Sequence, residues 1–321
     1  MKSLLYVMLI AVVQIVCGSS FAQSYPTRPV RLILPFAPGG TADIIGRPLA
    51  QRMTEQLGHP VIVDNRGGAG GVVGAAVVAQ ASADGYTLLL GSSGALTISP
   101  NLGKIPYDPV TDFAPVGLVA TSQFILVVHP SVAATSVKQL IELARGKPGT
   151  LRYGSAGNGN VGHLAGELFA SMAKIEMVHV PYKGAGPMTT DLLGGQVELA
   201  FPGLSSLVPH VKAGKLRALG VTGSRRSEVL PDLPTLSEAG LPGYEAITFW
   251  GLLAPARVQR GIIDRLGSSV SAALKTAELR TAYVSTGNDP AASTPEEFAA
   301  LIRNDIGKWG KIIKAASIKE D

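Results

Sequence analysis

Within YGSAGNGNVG (153–162), Gly157, Gly159 and Gly162 fall at the spacing G-x-G-x-x-G. That spacing lets backbone N–H groups face an anion, and it marks many dinucleotide-binding turns. A dinucleotide site also needs an acidic residue at the end of the following strand, to hold the ribose. The next strand here runs MVHVPYKGAG (177–186), with Lys183 at that end and Glu176 ahead of the strand. No Lys-Ser or Lys-Thr pair of a phosphate-binding loop follows the glycines either. The cradle therefore reads as a site for another kind of anion, and no cofactor is expected.

Three other loops share this chemistry: Pro38-Gly39-Gly40-Thr41, Gly91-Ser92-Ser93-Gly94 and Tyr182-Lys183-Gly184-Ala185-Gly186. Each follows a β-rich run, so each would lie at the carboxyl end of a strand, where open α/β sheets bind ligands. A tight turn that merely needs glycine explains any one of them; four together favour a ligand. Catalysis is the competing reading. Ser155 and His163 are eight residues apart, and Asp43 completes an imaginable triad, but Tyr153 stands where G-x-S-x-G requires glycine. His59, His129, His163, His179 and His210 show no metal-ligand spacing.

Loops of this kind need strands to launch them and helices to receive the chain. Short apolar runs supply the strands: VRLILPF (30–36), VIVD (61–64), YTLLLG (86–91), LRYG (151–154), MVHVPY (177–182), VELAF (197–201), LRALGV (216–221) and TFWGLLAPA (248–256). Between them, Ile45, Leu49, Met53 and Leu57 recur at steps of four, as do Leu164, Leu168 and Met172, the spacing of a buried helical stripe. The alternation predicts an α/β protein with parallel sheets. Thr294, Pro295 and Glu297 predict a capped helix start near 295. LILPFAPGGTADIIG and LRYGSAGNGNVGHLAG repeat one plan of strand, glycine turn and helix, which predicts two domains. The extended stretches at 113–130 and 216–226 read as the crossings between them, giving residues 23–123 with 223–321 as domain 1 and 124–222 as domain 2.

The chain opens MKSLLYVMLIAVVQIVCGSSFAQ, a lysine, an apolar run and small residues, which reads as a secretory leader (1–22) cleaved after Ala22. Cys17, the one cysteine, falls inside the leader, behind Val16 rather than the small residue a lipid anchor requires. The formal charge of +5 is spread out rather than clustered, which suits solubility or a small anion and argues against nucleic acid.

The motifs LPFAPGGTADIIGR, PVIVDNRGGAGG, DGYTLLLGSSG, YDPVTDFAPVGLVA, YGSAGNGNVGHLAGELF, HVPYKGAGP, DLLGGQVELAF and LPTLSEAGLPGYEA, in this order, resemble the substrate-binding proteins of tripartite tricarboxylate transporters, the Bug receptors. The resemblance spans essentially all of the chain after the leader. It implies a periplasmic two-domain receptor of the Venus-flytrap kind, for which a monomer is the default because it must close and dock. Such a receptor closes on a small carboxylate-bearing solute and delivers it to membrane permease subunits. It also implies that the solute is held by the turns Phe36 to Asp43 and Ser155 to His163. An exported hydrolase or lyase on a similar scaffold is the alternative.

The resulting ligand-binding candidates are Gly39, Gly40 and Thr41 on one jaw, with Gly157, Asn158 and Gly159 opposite. Ser92 and Ser155 are added as hydrogen-bonding groups, Phe36 and Tyr182 as pocket walls. Asp43 and His163 have structural alternatives, a helix cap and loop packing. Lys183 is read as a loop lysine able to complement a second carboxylate, and Phe249 and Trp250 as core. Pro202 stands where many relatives carry an acidic or amide residue. Pro48 falls inside a helical stripe, where its missing N–H removes a bond to the carbonyl of Ile44.

Overall fold

The computed structural model describes residues 25–36, 38–182 and 184–318, so the leader, Cys17 and Lys183 lie outside the described residues. The strands are β1 (Val30–Leu34), β2 (Val61–Asn65), β3 (Thr87–Ser92), β4 (Phe113–Gln123), β5 (Ile125–Val128), β6 (Arg152–Ser155), β7 (Val178–Pro181), β8 (Leu199–Ala200), β9 (Arg217–Val221), β10 (Ile247–Pro255) and β11 (Asn288–Pro290). The helices are α1 (Thr41–Leu57), α2 (Val72–Ala79), α3 (Ser99–Leu102), α4 (Val137–Gly146), α5 (Val161–Ala173), α6 (Ala185–Leu193), α7 (Leu204–Lys212), α8 (Arg260–Leu274), α9 (Ala277–Val284) and α10 (Pro295–Ala315). A π-helical turn, Gly94–Ile98, carries the chain from β3 into α3.

The strands form two sheets, ordered β11-β4-β10-β3-β1-β2 and β7-β6-β8-β5-β9. Within each, three strands at one end run parallel as expected: β1 pairs with β2 and β3, and β6 with β7 and β8. The sheets as wholes are mixed, which corrects the parallel expectation. β10 runs antiparallel to β3 and β4, β11 antiparallel to β4, and β5 antiparallel to β8 and β9. The reason is the crossing itself. β4 leaves the first sheet at Gln123 and β10 enters it opposite, with Ile247 beside Gln123, so the two must run in opposite directions.

The helical stripe of α1 buries Ile45, Leu49, Met53 and Leu57 against Leu32, Leu34 and Leu88, together with Ile263 and Leu266 of α8. Each such side chain contributes roughly 1.5–3 kcal/mol relative to exposure. That burial carries α1 unbroken through Pro48. The carbonyl deprived of its partner belongs to Ile44, an exposed residue, where water can satisfy it. The second sheet has its own core, in which Leu126, Val128 and Tyr153 meet Leu164 and Phe169 of α5.

Residues beyond Thr222 do not return at once to the first sheet. Val221 pairs with Thr235, and Leu236, Leu241, Tyr244 and Ala246 pack in the second core before β10 begins. α10 starts as expected, with Thr294 Oγ1 accepting from Glu297 N (3.1 Å) and Glu297 Oε2 from Thr294 N (2.8 Å). Its first half buries Phe298 and Ile302 in a core of the first sheet; its second half buries Trp309 and Ile313 in the second.

Candidate functional site

A cavity of about 780 Å³ lies between the sheets, where the carboxyl ends of β1, β3 and β6 face the crossing strands. Of the predicted residues, Phe36, Gly40, Thr41, Ser92, Ser155, Asn158 and Gly159 line it. Gly39, Asp43, Gly157, His163 and Tyr182 are not on its wall, and their positions explain why.

On the first jaw, Gly39 adopts φ +90°, a left-handed conformation that favours glycine, and Gly40 caps α1 without a side-chain hydrogen bond. Asp43 sits beneath this turn, only 7 % exposed. Its Oδ2 accepts from Gly39 N (2.8 Å) and Asn65 Nδ2 (3.2 Å), and its Oδ1 is bonded by Arg47 Nε. Asn65 also donates to Phe36 O (3.1 Å). Asp43 thus ties the turn to β2 and to its own helix.

On the second jaw, the three glycines have separate causes. Gly157 (φ +142°) and Gly159 (φ +68°) need positive φ. Gly162 is a matter of packing, since a Cβ there would fall 2.6 Å from the carbonyl oxygen of Phe201. Asn160 caps α5 through Oδ1, which accepts from His163 N (2.9 Å). Behind the loop, the imidazoles of His163 and His179 stack with centroids 3.6 Å apart and planes 6° from parallel. His163 Nδ1 accepts from Gly159 N (3.0 Å), which places its proton on Nε2. Burial, and then the ring of His179, push its pKa from the usual 6.5 down to about 3. His163 is therefore neutral, and its 3.7 Å approach to Glu167 is not an ion pair at ordinary pH.

Ser155 Oγ lies 2.9 Å from Gly157 O and 2.7 Å from His179 Nε2. The hydroxyl thus has two partners for its one proton, Gly157 O and His179 Nε2, and the tautomer of His179 sets which of them receives it. Tyr182 donates through its hydroxyl to Asp191 (2.8 Å), and burial with that contact raises its pKa to about 12.

Sequence reasoning missed much of the wall. Ser122, Gln123, Thr248 and Asn288 line it where the chain crosses between the sheets, and Gly203 and Leu204 line it at the start of α7, beside Pro202, which is singled out in the sequence. Trp250, expected as core, is buried but also on the wall, edge-on to Phe36 at 5.8 Å, with Nε1 donating to Ser122 Oγ (3.2 Å). Among the described residues, four buried side-chain polar atoms have no hydrogen-bond partner; three of them, Ser92 Oγ, Gln123 Oε1 and Asn160 Nδ2, belong to wall residues. Asn160 carried a readable signal, being a capping residue type just ahead of an apolar helical run. The crossing residues carried none, because only the pairing of β4 with β10 and β11 brings them together.

Two α/β domains closing on an intervening cavity define a periplasmic-binding-protein fold, and similar proteins narrow it further. Residues 45–318 match the family described as Tripartite tricarboxylate transporter family receptor. The chain is 35% identical over 303 residues to Protein BugT of Bordetella pertussis, covering 93% of this chain and 92% of that one. Among solved structures, R. palustris Rpa4515 with adipate is similar at 38% identity and TM-score 0.80, over 92% of this chain and 99% of that chain. MatC from Rhodopseudomonas palustris, with bound malate, is similar at 31% identity and TM-score 0.75, over 90% and 100%. The chain belongs to the tripartite tricarboxylate transporter receptor family.

Proposed function

We propose that this protein is an exported, monomeric receptor that binds a small carboxylate between its two domains. It would release that solute to the membrane permease subunits of a tripartite tricarboxylate transporter. The observation that carries the reading is the way helices meet the cavity. α1, α6 and α7 begin after Gly40, Gly184 and Gly203, none of which offers a side-chain cap, and all three helices contribute first-turn residues to the wall. Uncapped first-turn N–H groups and the positive helix ends favour a bound anion, each charge-assisted hydrogen bond contributing about 1.5–3 kcal/mol.

Adipate and malate, the ligands of the similar proteins Rpa4515 and MatC, support a carboxylate. The leader at 1–22 supports export to the periplasm. We divide the domains at Phe124 and at Ala246, later than residue 222, because the segment between β9 and β10 packs with the second core. A non-catalytic role agrees with membership of a family of solute receptors.

A thermal-shift panel of di- and tricarboxylates, aromatic acids, amino acids and neutral amides tests this. Ligand binding to the folded state raises stability by RT ln(1 + [L]/Kd), so a carboxylate should raise the melting temperature in a concentration-dependent way, and be recovered intact. Recovery of a converted product would support the hydrolase or lyase alternative instead.

A further inference from the structure

Among the described residues, the stacked imidazoles form a side-chain cluster that touches the binding loop at two points without lining the cavity. β6 and β7 pair in parallel with Tyr153 opposite His179, and α5 brings His163 over the same spot from its first turn. Tyr153, His179 and His163 thereby form a layered group, with ring centroids 5.0 Å and 3.6 Å apart along the stack. The two imidazoles hold opposite ends of one short loop. His179 Nε2 holds Ser155, where the loop leaves β6, and His163 Nδ1 holds Gly159, one residue before the cap of α5.

Both held residues are on the cavity wall, and so are two of the three residues they bracket, Ala156 and Asn158. The Gly159 N–H spent on His163 is one that an anion in the cavity would otherwise attract. A loop with two left-handed glycines has many conformations to lose on binding, and two hydrogen bonds to a stacked pair of rings, one buried and one half-buried, reduce that cost in advance.

We infer that His163 and His179 are positioning residues for solute capture. Neither touches the solute; together they set the curvature of the 155–160 loop so that its remaining polar groups face the cavity. The inference rests on the receptor reading above and adds to it a role for His179 and a different role for His163.

The two imidazole contacts can be copied separately. An asparagine Oδ1 can take the place of Nδ1, and a glutamine side chain can reach the place of Nε2. H163N should keep the Gly159 contact and H163L should lose it; H179Q should keep the Ser155 contact and H179L should lose it. Calorimetric titration with adipate and with malate is expected to show roughly tenfold weaker binding for each leucine variant, and near wild-type binding for H163N and H179Q. Amide hydrogen exchange at Gly159, in protein without ligand, should be slow in wild type and H163N and fast in H163L. Equal affinity in folded leucine and wild-type proteins, or equal losses in the leucine and amide variants, would overturn the inference. If wild type binds neither acid, the receptor reading is what fails. The exchange measurement then still decides the positioning claim, and unchanged protection in H163L refutes it.

Discussion

The α-carbon of Gly162 packs against the backbone of Phe201 so closely that a methyl group on it would sit 2.6 Å from the Phe201 carbonyl oxygen. This contact fixes α5 against the segment between β8 and α7, which also lines the cavity. Backbone cannot move aside as a side-chain end can. Gly162→Ala should therefore lower stability by about 1–3 kcal/mol and weaken solute binding together, as read by urea unfolding and titration. Unaltered stability would show that the segments separate freely.

Asp43 braces the opposite turn, and its variants should not discriminate between solutes. Asp43→Ala removes the acceptor of Gly39 N and the partner of Arg47, and should cost about 1–2 kcal/mol of stability while weakening all bound acids by a similar factor. A variant that loses an amino acid but keeps or strengthens a dicarboxylate would instead place the Asp43 carboxylate against ligand.

His163 gives stability a pH dependence of definite sign. Its pKa is about 3 in the fold and near 6.5 when unfolded, so between these values the unfolded chain binds the extra proton. Stability from this group is complete above about pH 6.5 and is lost as pH falls toward about 3, with a slope of up to ~1.4 kcal/mol per pH unit. Urea unfolding from pH 7 to pH 4 should show that slope in wild type and a shallower one in His163→Asn. Identical profiles would mean that the imidazole titrates normally.

Trp250 and Trp309 are the two tryptophans of the chain, and only Trp250 is on the cavity wall. Ligand binding should change intrinsic fluorescence chiefly through Trp250, so Trp250→Phe should abolish most of the change while leaving the protein folded. A full signal remaining in that variant would point to Trp309, which packs at the far half of α10, in the second core.

The elements most legible from sequence were those that bury a continuous stripe. β1, β9, β10 and α1 follow the apolar runs closely, because burial in a core leaves an apolar run or period in the chain. β11, at Asn288–Pro290, has no apolar run and exists only through pairing with β4. The glycine turns were readable as places for an anion, since the types and their position after strands follow from backbone geometry. Which neighbours a turn would have was not readable. His179 alternates with apolar residues on β7 like any strand residue, and its role depends on the register that sets it beside Tyr153. Gln123, Thr248 and Asn288 meet only because three distant segments converge at the crossing. At Pro48 the sequence marks a missing hydrogen bond to the Ile44 carbonyl but does not say whether the helix continues; tertiary burial on one face of α1 carries it through.

Calorimetric titration of the mature, leader-free protein with adipate, malate and the uncharged diamide of adipate tests the central claim most directly. The account predicts that at least one of the two acids binds with a stoichiometry of one per chain, that the diamide does not, and that binding weakens when Ser92 is replaced by alanine. Binding of the diamide as tightly as the acid, or no binding of either acid, would contradict an anion held at the glycine-capped helix ends.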